Sequence, residues 1–150
     1  MKKAVLFCYS YHHNNTLKVA EAVSAALPVR VVSVPVREEV DLRDYDLIGF
    51  ASGVYFSEFG KPVERFIDSL EGLSGKRCFT LCTHGAPNGE FGRNIQEKLR
   101  MKGAEVAGGW DCRGFDTYGP FKMIGGIAKS RPNEKDLAGA VSFVESLLKE

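Results

Sequence analysis

Apolar residues alternate along this chain between two rhythms. Residues 3–9, 47–51 and 78–83 are nearly continuous apolar runs, the pattern of strands covered on both faces. Two other runs are of mixed polarity. Arg30 and Ser33 interrupt 29–34, which Pro35 ends, and Glu105, Gly108, Gly109 and Asp111 interrupt 104–112. Mixed polarity and terminal Pro or Gly suit strands at a sheet edge. Between the runs, apolar residues fall at helical spacing. Val19, Ala20, Val23, Ala26 and Leu27 form one stripe, and Val63, Phe66, Ile67 and Leu70 another, with Pro62 suited to its first turn. Phe91, Ile95 and Leu99 form a third, ended by Gly103. Leu137, Val141, Val144 and Leu148 form the last, with Asn133 as N-cap and Asp136 in capping-box position. Residues 35–45 must carry a crossover, and only about one helical turn fits there.

This alternation predicts a doubly wound α/β fold: one domain over residues 1–150, with five parallel strands in the order 2-1-3-4-5 and helices on both faces. The first, third and fourth strands are central, and the second and fifth are edges. In that order the chain reverses direction between the first and third strands. Ligands of open α/β sheets bind outside the carboxyl ends of the strands at such a point.

Composition narrows the function classes. Lys and Arg number 20 against 19 Asp and Glu, a net charge of +1, so electrostatics alone favour neither nucleic acid nor a membrane surface. No apolar run approaches a membrane span. The run behind Lys2 and Lys3 is too short for a signal peptide and lacks a cleavage site, so the expected location is the cytoplasm. Cys8, Cys78, Cys82 and Cys112 form no C-x-x-C pair. Cys78 and Cys82 on one strand stand about 13 Å apart, too far to bridge. They read as small buried hydrophobes in a reducing compartment.

Three loops leave the carboxyl ends of the central strands. The first, Ser10-Tyr11-His12-His13-Asn14-Asn15-Thr16, runs straight into a helix and holds hydroxyl, amide and imidazole groups but no acid. Backbone N–H groups at a helix N-terminus make a phosphate site, and Asn14 and Asn15 tolerate the left-handed backbone of a tight wrap. A plain N-cap turn without ligand fits this loop equally well. His12 and His13 have no carboxylate or cysteine beside them in the loop, so no metal is expected. The second loop, residues 52–60, begins Ser52-Gly53-Val54-Tyr55-Phe56-Ser57 and groups three aromatics beyond a central strand. Rings stack on flat π systems. Tyr55 and Phe56 are placed to meet such a ligand, Phe59 is read as a helix-docking residue, and Gly53 allows close backbone approach. The third loop, residues 83–92, begins Thr83-His84-Gly85-Ala86, and its three glycines expose backbone donors and acceptors. An ordinary Gly-rich turn is the alternative.

Residues 10–20, Ser-Tyr-His-His-Asn-Asn-Thr followed by Leu-Lys-Val-Ala, resemble the phosphate loop of flavodoxin-family proteins, which in one branch reads S-x-H-H-G-N-T. Residues 44–52, Asp-Tyr-Asp-Leu-Ile-Gly-Phe-Ala-Ser, resemble the family's third strand and first flavin loop. The resemblance spans nearly the whole chain. It implies a flavodoxin-like fold and FMN, with the phosphate on residues 10–16 and the isoalloxazine on residues 52–57 and 83–86. The rule that places a ligand at the strand-order reversal is itself illustrated by this family, so it is not independent support. The implied function is an electron carrier acting between redox partner proteins, as a monomer or weak homodimer. The alternative is an FMN-dependent oxidoreductase acting on a small molecule such as a quinone or porphyrinogen, and the carrier is favoured. A phosphoacceptor receiver of the same topology is disfavoured, because Ser52 and Gly53 stand where it needs an Asp. Among charges near the three loops, Glu58 and Glu90 face His12, His13, His84, Lys61 and Arg93, and His84 is the candidate for tuning the flavin potential. The long connection 113–132 is too apolar for simple disorder, and Tyr118 or Phe121 is expected to cover a crevice or an interface.

Overall fold

The computed structural model describes residues 2–10, 14–55, 58–86, 91–114 and 130–150, with backbone alone at 55 and 58. Strand β1 (Ala4–Tyr9) leads into helix α1 (Asn15–Ala26), then β2 (Val29–Ser33) and β3 (Leu47–Tyr55). A two-residue strand, β4 (Glu58–Phe59), precedes α2 (Lys61–Ser69). Then follow β5 (Arg77–His84), α3 (Arg93–Met101), β6 (Glu105–Arg113) and α4 (Glu134–Leu148). The main sheet runs β2-β1-β3-β5-β6 with every neighbouring pair parallel. Counting those five strands alone, this is the 2-1-3-4-5 order the sequence predicts. β2 and β6 are the edges, and β4 pairs antiparallel with β3 off that path. No described helix is long and apolar enough to cross a membrane.

Strand side chains alternate between two cores. Ala4, Leu6, Cys8, Leu47, Phe79 and Leu81 meet α1 and α4, while Val5, Phe7, Ile48, Phe50, Cys78 and Cys82 meet α2 and α3. Phe7 packs on Phe66 of α2 with ring centroids 4.6 Å apart and on Phe50 at 5.8 Å. On the other face Phe79 lies across Gly49, where a Cβ would come within 2.2 Å of its ring. Glycine is therefore required there for close packing, not for an unusual backbone. All four cysteines are buried free thiols, and burial pushes Cys8, Cys78 and Cys112 up to about 12.

The crossover from β2 to β3 holds a single 3₁₀ turn, Leu42–Asp44, as the shortness of that segment requires. Asp41 caps it by accepting from the Arg43 N–H at 2.9 Å. The Arg43 guanidinium first, and that N–H second, hold the Asp41 carboxyl down at about 2. Helix α4 begins with the capping box of Asn133 and Asp136 that the sequence predicts.

Two expectations need correction. β3 does not stop at Ala51. It runs to Tyr55, because Val54 and Tyr55 pair with Phe59 and Glu58 in a hairpin, so Ser52–Tyr55 are strand rather than loop. Phe91 is not on the stripe of α3. Gly92 takes a left-handed φ of 79° as the N-cap and the helix begins at Arg93, which leaves Phe91 in the preceding loop.

Candidate functional site

The carboxyl ends of β1, β3 and β5 lie side by side at one rim of the sheet. On the α1 side of the rim, the described residues between β1 and the first turn of α1 gather hydroxyls and amides and carry no acid. Asn14 adopts a left-handed conformation (φ 54°, ψ 28°) and makes no side-chain capping bond, and the first turn of α1 carries no acid. Ser10 Oγ accepts from the Leu17 N–H at 3.1 Å, tying the end of β1 to the helix. Thr16 is buried in the first turn, its hydroxyl 2.8 Å from that of Thr83 on β5. Asn15 is also buried and lies against Gly114, where a Cβ would come within 2.5 Å of its Nδ2. Amide N–H groups, hydroxyls and a helix-dipole end without a competing carboxylate fit an oxyanion such as a phosphate. Tyr11, His12 and His13 lie outside the described residues.

The β3 hairpin forms the middle of the rim. Ser52 is fully buried, accepts from the Gly60 N–H at 3.0 Å and donates to the Gly53 carbonyl at 2.7 Å. Its hydroxyl therefore fastens the base of the hairpin. Gly60 passes under Tyr9, where a Cβ would meet the ring at 2.7 Å. Gly53 is half-buried and pairs with Thr83 across the ladder, and Val54 packs against the α2–α3 core. Phe59 is buried and stands under Gly92, where a Cβ would come within 2.7 Å of its ring. It docks the start of α3, as read from the sequence. The Tyr55 side chain, Phe56 and Ser57 lie outside the described residues, as does the 115–129 segment with Tyr118 and Phe121.

On the α3 side the loop after β5 is fixed by contacts to β6. His84 is buried, with Nδ1 2.7 Å from the Ala86 carbonyl oxygen and Nε2 2.7 Å from Asp111 Oδ1. Phe91 stacks on the ring at 3.8 Å and 16°. Arg113 donates to the Gly85 carbonyl from Nε at 3.0 Å and Nη2 at 2.8 Å, and the Gly114 N–H donates to the His84 carbonyl at 2.8 Å. Sequence reasoning missed Asp111, Arg113, Gly114 and the role of Phe91. One signal was available: Gly109, Asp111 and Arg113 alternate on one face of an edge strand, where the period of two places polar side chains beside the end of β5. Among the described residues no three His, Cys, Asp or Glu converge as a metal site.

A family model described as a flavodoxin domain matches residues 6–116. An uncharacterized protein of Methanocaldococcus jannaschii is 36% identical over 149 residues, covering 98% of this chain and 99% of that protein. Among solved structures, a flavodoxin from the domain Archaea superposes with a TM-score of 0.68 at 21% identity, over 98% of this chain and 99% of that one. A flavoprotein from Lactobacillus acidophilus NCFM, in complex with FMN, superposes with a TM-score of 0.61 at 16% identity, over 74% of this chain and 93% of that one.

Proposed function

Because this chain belongs to the flavodoxin family, we propose that it holds FMN non-covalently at the carboxyl rim of its sheet and carries electrons between redox proteins. The observation that carries this reading is the start of α1: left-handed Asn14, an acid-free first turn, and the Ser10 and Thr16 hydroxyls around it. Residues 10–16 would hold the phosphate, and residues 52–57 and 83–86 the ring. The Thr16–Thr83 hydroxyl bond is compatible with this. With Thr83 as donor, the Thr16 proton is free for a phosphate oxygen. Bound FMN supplies the redox chemistry, and the protein supplies binding, orientation and electrostatics. The full-length likeness to an archaeal flavodoxin and the FMN complex of the Lactobacillus protein support the reading.

The first test is the visible spectrum of the purified protein, with identification of the flavin released on denaturation. A protein that stays colourless after FMN is added overturns the reading. Thr16→Val then tests the phosphate site. A hydrogen bond to a charged group is worth about 1.5–3 kcal/mol, so FMN should bind roughly ten- to a hundredfold more weakly. Riboflavin, which lacks the phosphate, should bind as to wild type. Equal losses for both would move the phosphate away from Thr16. Slow hydride transfer from NAD(P)H and no quinone turnover are expected of a carrier, and fast steady turnover would make the protein an enzyme.

A further inference from the structure

Three successive carbonyls, at the last residue of β5 and the first two residues after it, are bonded within the protein. The His84 oxygen accepts from the Gly114 N–H, the Gly85 oxygen accepts from the Arg113 guanidinium, and the Ala86 oxygen lies on His84 Nδ1. Asp111 holds the other ring nitrogen, and Phe91 stacks on the ring. The His84 side chain is only 6% exposed, whereas that of Asp111 is 51% exposed. The side-chain bonds lie outside the ladder between β5 and β6, which already pairs Arg77 with Glu105 at one end and His84 with Arg113 at the other.

These contacts set the polarity of the loop. In a planar trans peptide the N–H points opposite to the carbonyl. With the His84 and Gly85 carbonyls turned to the Gly114 N–H and the Arg113 guanidinium, the Gly85 and Ala86 N–H groups point away from those partners. The next peptide has no N–H, because residue 87 is proline. A loop braced in this way offers donors where an unbraced one would offer a mixture.

We propose that Asp111 and Arg113 are positioning residues for the flavin ring: from the edge strand they hold the loop after β5 so that it presents N–H groups, not carbonyls, to the cofactor. The proposal rests on the FMN reading. Asp111 acts through His84, whose ring nitrogens are both engaged within the protein, so His84 serves as a strut rather than as a direct partner of the flavin. Donors favour the electron-rich reduced ring over the oxidised one, so the brace also raises the flavin potential.

The test compares wild type with Asp111→Ala, Asp111→Asn and Arg113→Met. In flavin-free protein, hydrogen exchange of residues 84–86 should quicken in Asp111→Ala and Arg113→Met, while β1 amides exchange as in wild type. FMN and riboflavin should both bind about tenfold more weakly to those two variants, by one common factor, because the phosphate lies on another loop. The midpoint potential of bound FMN should fall in Asp111→Ala and return in Asp111→Asn, whose amide oxygen can still accept from His84 Nε2. A wild type that takes up no flavin overturns the FMN reading together with this one. A flavin-binding wild type matched by its variants in affinity and potential overturns the positioning role alone.

Discussion

The two rims of the sheet treat polar groups in opposite ways. At the carboxyl rim Asn15, Thr16, Ser52, Thr83, His84 and Asp136 are all buried. At the amino rim the polar contacts sit largely at the surface: Asp46 accepts from the Lys3 N–H, Lys2 reaches the Glu150 carbonyl, and Arg77 pairs with Glu150. The buried groups among them are apolar, with Ala4, Leu47, Cys78 and Ala104 closing the ends of their strands. Burying a polar atom destabilises the fold unless the atom is bonded, and a fold gains nothing by doing so at one end only. The asymmetry therefore sets the carboxyl rim apart as the end that carries the candidate site.

Breaking the carboxyl rim at its ion pair should have the largest effect. Arg131 donates to Asp136 through Nε at 2.5 Å and a terminal nitrogen at 2.6 Å, and Asp136 also accepts from the Asn133 N–H at 2.8 Å. Burial by itself would raise the Asp136 carboxyl, but the guanidinium fork and that N–H outweigh it and hold the group below its ordinary value. The Arg131 side chain is 32% exposed against 10% for Asp136, so the full cost of stranding a buried charge does not apply. Asp136→Ala should lose about 2–3 kcal/mol, a fall of roughly 5–10 °C in Tm. A depressed carboxyl stabilises the fold above its unfolded value of about 3.9 and loses that contribution as pH falls through the folded one. Denaturant unfolding from pH 7 down to pH 2 should thus show the variant and wild type converging in acid. A constant gap across that range would mean that the pair contributes by packing, not by charge.

Ser52→Ala is expected to cost less. It strands the buried Gly60 N–H and releases the Gly53 carbonyl at the hairpin base. A buried donor left without a partner costs about 1–3 kcal/mol, and water reaching the rim should keep the loss near the lower figure. FMN affinity should fall with it, since the hairpin carries part of the proposed ring site. Unchanged stability and unchanged FMN binding in calorimetry would show that this serine is idle.

Much of the fold was legible because burial writes itself into the sequence as period. Continuous apolar runs marked β1, β3 and β5, and Arg30 and Asp111 marked the edges. What escaped was set by contacts between distant segments. The sequence around Ser52 has no turn signal that says the strand continues, because its continuation depends on β4 folding back. Phe91 has the right spacing for the α3 stripe, yet Gly92 takes φ 79° and removes it from the helix. The hydroxyl and amide groups of the candidate site, at Ser10, Asn14 and Thr16, could be singled out from their chemistry. Asp111 and Arg113 were readable only as polar positions of an edge strand; their partners lie about 27 residues back along the chain, and strand register alone brings them together.

The smallest expected effect belongs to the amino rim, and it provides the control. Arg77 donates to Glu150 Oε2 at 2.5 Å and to the Leu147 carbonyl at 3.2 Å, so it resembles Arg131 in chemistry, a guanidinium on a carboxylate at one end of α4. Its setting differs: the Glu150 side chain is 62% exposed. Water screens such a pair, and ordering two long side chains opposes what remains, so Glu150→Gln should change stability by about 0.5 kcal/mol or less. Added salt should weaken even that, because the pair is exposed to water and its ions. Arg77→Met should cost slightly more than Glu150→Gln, since it also releases the Leu147 carbonyl. A double-mutant cycle over Arg77 and Glu150, read by urea midpoint in low and high salt, isolates the pair itself. A coupling as large as the loss in Asp136→Ala, and insensitive to salt, would mean that the amino rim also depends on a desolvated charge pair. Buried polarity would then no longer distinguish the end of the sheet that carries the candidate site.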